Sequence, residues 1–92
     1  MTWQPVVTPL FHQRKKKVSS PLQEAIDDAI RAILAEPLIG EPKVGALKGV
    51  RVYKFMHHGL RYLVAYRLET RKRLIQLLAV GPHENFYRDL QQ

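Results

Sequence analysis

The residues best suited to chemistry lie in the C-terminal half of this 92-residue chain. His83 and Tyr87 stand four apart in GPHENFYRDL, so a helical turn over 82–90 would set imidazole and phenol on one side and pair Glu84 with Arg88 on another. Further upstream, a hairpin turning on His58-Gly59 would place Lys54 across from Leu63 and Met56 across from Arg61. Lys54 and Arg61 then become diagonal neighbours on one sheet face. Arg51 and His57 would point to the opposite face, and a slip of one residue would exchange the two sets.

RNA cleavage without a metal requires cations, a base and an acid, and an ammonium, a guanidinium, an imidazole and a phenol are candidates for those parts. Cations stabilise charge gathering around phosphorus, a base takes the 2′-hydroxyl proton, and an acid serves the leaving oxygen. Lys54 and Arg61 can supply the charge, while His83 and Tyr87 are candidates for proton transfer or for stacking on a base. The same residues also have plain structural readings. Two cations often share a sheet face, and a terminal tyrosine commonly packs its ring and leaves its hydroxyl in water.

Other chemistries are poorly served. His57 and His58 are adjacent and so face opposite sides of a strand, with no His-x-x-x-His pattern or carboxylate cluster beside them, so no metal site is expected. Ser19 and Ser20 stand before a helical pattern and suit capping. The glycines are scattered through loops and form no phosphate-binding run, and no cofactor is expected. With no cysteine, neither a disulfide framework nor a thiolate site is available.

Fifteen Lys and Arg against eight Asp and Glu leave a formal charge of +7, which favours a polyanion or an acidic protein as partner. No apolar run approaches the roughly 20 residues that span a bilayer, and the first residues lack a charged segment followed by an apolar one. The reading is a soluble cytoplasmic protein with no membrane partner.

A single domain over residues 1–92 must position the candidate groups. The segment through Val7 reads as a short edge strand, given Pro5 and Pro9. Leu10 to Val18 reads as a short basic helix. Ser20-Pro21-Leu22-Gln23 has the form of a capping box, and Leu22, Ile26, Ala29, Ile30 and Ile33 then recur at helical spacing until Pro37. Residues 37–49 form a Pro- and Gly-rich loop. Strands are expected over 51–56, 60–68 and 74–80, joined by short connections as an antiparallel meander, with Gly81 releasing the last strand and Pro82 opening a helical turn. Helices before strands give a two-layer α+β domain with one sheet face covered and the other free to act.

Three stretches together, GEPKVGALKGVRVYKF, YLVAYRLE and LLAVGPHENFYRDL, resemble the RelE/ParE superfamily of type II toxin–antitoxin toxins. The likeness runs from about Leu34 to Leu90 and rests on the block L-K-G-x-R-x-Y-K followed by a V-G-x-H/R-x-x-x-Y ending. It implies an N-terminal helical hairpin packed on one face of an antiparallel sheet of three to four strands, with a short C-terminal helix. RelE-like members cut messenger RNA in the ribosomal A site, whereas ParE-like members inhibit DNA gyrase and cleave no RNA. Both are neutralised by an antitoxin that wraps the toxin.

For this chain the resemblance implies a ribosome-dependent mRNA endonuclease, with gyrase inhibition as the alternative. Lys54 falls where RelE-like toxins have the first lysine of a K-x-K strand, and Met56 falls at the second, so one cation is missing. The arginine of the family's Y-R-L-x-Y aligns with Leu63, and Arg61, two residues earlier, projects from the same face. His83 takes the place of an arginine, and Tyr87 matches the terminal tyrosine. Some ribosome-dependent relatives also end with His and Tyr near the site. Lys48, Arg51 and Arg88 are the candidate RNA-binding residues.

Overall fold

From Arg51 onward the chain alternates between two environments, and this alternation becomes three antiparallel strands, numbered here in chain order. The computed structural model, which describes residues 2–84, 86 and 87, has β1 (Gln4–Val7), α1 (Pro9–Lys16), α2 (Ser20–Ala35) and β2 (Glu41–Pro42). A single 3-10 turn (Gly45–Leu47) precedes β3 (Arg51–His57), β4 (Leu60–Glu69) and β5 (Leu74–Pro82). The sheet order is β1-β5-β4-β3-β2. The helical hairpin and sheet are those expected, but the sheet has five strands and is mixed, because β1 runs parallel to β5.

Two left-handed residues, His58 at φ 51° and Gly59 at φ 77°, make the β3–β4 turn. Positive φ at both central positions matches the twist of the flanking strands and fixes the pairing. Lys54 accordingly faces Leu63, and Met56 faces Arg61, the register expected from the sequence.

Both helices start on a side-chain cap. Thr8 accepts from the Phe11 amide and donates its hydroxyl to the Leu77 carbonyl at 2.7 Å, so one residue starts α1 and ties it to β5. At α2 the cap is Ser19 rather than Ser20: its hydroxyl accepts from the Leu22 amide, and Gln23 reaches back to the Val18 carbonyl. Leu22, Ile26, Ala29 and Ile33 are buried along one stripe of α2 against Val64, Tyr66, Ile75, Leu77 and Val80. Each large aliphatic side chain there contributes about 1.5–3 kcal/mol by leaving water. Neither helix is long and apolar enough to cross a membrane.

Tyr66 anchors the loop before β2 from inside this core. Its side chain is fully buried, its hydroxyl donates to the Pro37 carbonyl at 2.7 Å, and its oxygen accepts from the Gly40 amide at 2.8 Å. Burial pushes the phenol above its ordinary value near 10, only partly offset by the Gly40 amide. A phenol that ionises more readily in the unfolded chain than in the fold withdraws stability as pH rises past the unfolded value. Thermal melts should therefore show a midpoint that falls above about pH 10. Tyr66→Phe should flatten that fall while lowering stability at pH 7 by about 1–3 kcal/mol, since Gly40 N–H and the Pro37 carbonyl lose their partner.

Candidate active site

The face of the sheet away from the helices has its own small core. Val50, Val52, Leu63, Ala65 and Ala79 are buried there beneath Phe86, with Leu47, Leu78 and Tyr87 at the margin. Phe86 keeps only 4% of its surface exposed and is seated in this core with Tyr87 at its margin. The helical turn expected to open at Pro82 opens later. Pro82 pairs with Tyr62 as the last residue of β5, His83 lies in a bend, and Phe86 and Tyr87 are helical. Arg88, and its expected pairing with Glu84, lies outside the described residues.

A β-bulge aims the imidazole. Ala65 pairs with Ala79 but Tyr66 pairs with Leu77, so Leu78 is an extra residue in β5. One inserted residue exchanges the faces of everything beyond it. Leu77 packs under the helices, whereas Ala79 belongs to the opposite face, and Gly81 pairs there with Leu63. The ladder extends one step further: the His83 amide donates to the Arg61 carbonyl at 2.9 Å. Met56, Arg61 and His83 thus form one row across three strands, and Lys54, Leu63 and Gly81 form the next. Neighbouring strands in such a row are about 4.8 Å apart.

Above these rows the side chains of Lys54, Arg61 and His83 are exposed, and Tyr87 is half-buried. The His83 and Tyr87 rings meet edge to face with centroids 6.3 Å apart. Lys54, Arg61, His83 and Tyr87 therefore occupy one solvent-open face, a patch that pairs fixed positive charge with an imidazole and a phenol.

The candidate RNA-binding residues are placed differently. Arg51 donates to the carbonyls of Leu38 and Gly40, at 3.1 and 2.7 Å, and braces the loop from the strand edge. Lys48 is exposed at the end of the 3-10 turn.

Two charged residues of this patch escaped the sequence reading. The Lys43 ammonium lies 5.2 Å from the centroid of the Tyr87 ring, within cation–π range. Its Nζ also meets Glu41 Oε1 at 3.2 Å, while Glu41 Oε2 is 3.9 Å from Lys54 Nζ. The Tyr87 hydroxyl, and less strongly the Glu41 carboxylate, hold the Lys43 ammonium above its ordinary pKa against the lowering effect of partial burial. The available signal was the alternation in Glu41-Pro42-Lys43, which puts both charges on one face once the segment is extended.

A helical hairpin under a five-stranded sheet is an arrangement this chain shares with solved RelE toxins. A free-state mutant of E. coli toxin RelE superposes with a TM-score of 0.76 at 17% identity, covering 95% of this chain and 90% of that one. The RelBE2 toxin–antitoxin complex from Mycobacterium tuberculosis gives 0.75 at 20% identity, over 90% of this chain and all of its match. The intact E. coli RelBE complex gives 0.73 at 18%, over 89% and 98%. No curated protein matches the sequence. The family model for the ParE-like toxin of type II bacterial toxin–antitoxin systems matches residues 6–91, and the chain belongs to that family. It is a toxin of the RelE/ParE type.

Proposed function

We propose that this toxin is a ribosome-dependent mRNA endonuclease acting in the cytoplasm and held in check by a cognate antitoxin. The observation that carries the reading is the row Met56–Arg61–His83 lying beside Lys54, with the Tyr87 ring against the imidazole. Lys54 and Arg61 neutralise the scissile phosphate as the 2′-oxygen attacks and the bond to the 5′-oxygen breaks, leaving a 2′,3′-cyclic phosphate. His83 is the proton-transfer group, as base toward the 2′-hydroxyl or acid toward the leaving oxygen, and Tyr87 orients or stacks on a base. The described residues of this face form an open patch rather than an enclosed pocket, and on this reading the ribosome positions the message, so free RNA should be a poor substrate. Two of the solved relatives are complexes with antitoxin, and a +7 toxin suits an acidic wrapping segment.

The gyrase reading has its own support: the matching family model is ParE-like, and Met56 stands where RelE-like toxins carry a second lysine. Primer extension on a translated transcript beside a gyrase supercoiling assay separates the two. New cuts in translated messages, with free RNA largely spared and supercoiling intact, are the expected result. Intact messages with blocked supercoiling would transfer the toxin to the gyrase branch.

A further inference from the structure

We propose that Lys43 and Lys54 form a two-ammonium pincer for one phosphate of single-stranded RNA, and that the Glu41 carboxylate occupies the phosphate's place until substrate displaces it. The inference rests on the RNA-cleavage reading for the identity of the phosphate. Glu41 lies between the two cations, with Oε1 hydrogen-bonded to Lys43 Nζ at 3.2 Å and Oε2 3.9 Å from Lys54 Nζ, so both ammonium groups face one carboxylate. A backbone phosphodiester offers two acceptor oxygens in a similar arrangement and the same single negative charge.

The three groups are not equally free to move. Lys43 retains 19% side-chain exposure beside the Tyr87 ring, and its own amide donates to the Val50 carbonyl at 2.9 Å. The preceding Gly40 is clamped by Tyr66 and Arg51. Lys54 stands on β3, whereas the Glu41 side chain is 61% exposed and can swing into water. Exposed ion pairs contribute little, so a phosphate displaces the carboxylate easily. The second cation that Met56 does not supply on β3 thereby comes from beyond β2, next to the aromatic ring on which a base would stack.

Titration of full-length protein with a 2′-O-methyl oligoribonucleotide, which cannot be cut, at several salt concentrations tests this. Lys43→Gln should lower the slope of log affinity on log salt by about 0.7, the effect of one lost phosphate contact. Lys72→Gln, an equal charge change in the exposed β4–β5 turn, should leave the slope at its wild-type value. Glu41→Gln should tighten binding roughly two- to fivefold. An unchanged slope in Lys43→Gln, no tightening in Glu41→Gln, or no saturable binding by the wild type would overturn the pincer. Cleavage of a translated message, measured in parallel, tells the two failures apart: predicted slopes with uncut messages remove only the nuclease reading, and cut messages with unaltered slopes remove only the pincer.

Discussion

Replacing His83 with alanine should slow the cutting of translated messages by about 100- to 10,000-fold, the range expected for one positioned proton-transfer group. The protein itself should survive the change. His83 is exposed, its ring touches Tyr87, and the amide that bonds to Arg61 belongs to the backbone and persists in the variant. A surface truncation of this kind shifts stability by about 0.5 kcal/mol or less. Single-turnover primer extension on ribosome-bound transcript, run beside a thermal melt, separates lost chemistry from lost fold. Tyr87→Phe refines the assignment, because it keeps the ring beside His83 and Lys43 and deletes the hydroxyl alone. Undiminished cutting by His83→Ala would leave the imidazole without a role.

The second large effect should come from one methyl group at Gly40. A Cβ built there would lie 2.6 Å from the Tyr66 hydroxyl and 2.7 Å from its Cε1. Tyr66 cannot yield, since it is fully buried under α2 and held by its bond to the Pro37 carbonyl. Gly40→Ala should therefore cost roughly 2–4 kcal/mol, the sum of overpacking and a strained or broken amide–phenol bond. The damage should also reach the site, because Glu41 and Lys43 follow directly on the displaced residue. Denaturant melts give the first effect, and the salt slope of oligoribonucleotide binding gives the second. A wild-type midpoint in this variant would mean that the loop is not clamped as described.

What could be read from the sequence tracks how locally each feature is encoded. The β3–β4 register follows from two residues at a tight turn, so the shared face of Lys54 and Arg61 was legible. The α2 stripe was legible for the same reason, although adjacent serines left the cap one position off. The parallel pairing of β1 with β5 was not, because Gln4 meets Leu74 and nothing near either residue announces the other. The bulge at Leu78 was equally silent, since an apolar run reads alike with or without an inserted residue, and yet it decides which face His83 joins. His83 and Tyr87 were found through spacing and family likeness. Lys43 was hidden in a loop whose extended conformation depends on a tyrosine and an arginine contributed from later strands.

That parallel pairing bears on when the toxin becomes dangerous during its own synthesis. β1 and the Thr8 bond that ties α1 to the sheet both need β5, so β1 and α1 wait for their sheet partner until the last strand has left the exit tunnel. Contacts so remote in sequence make for slow, late folding. On the mRNA-cleavage reading, the nascent polypeptide would stay harmless to the ribosome building it, and the interval before maturation would give a neutralising protein time to arrive.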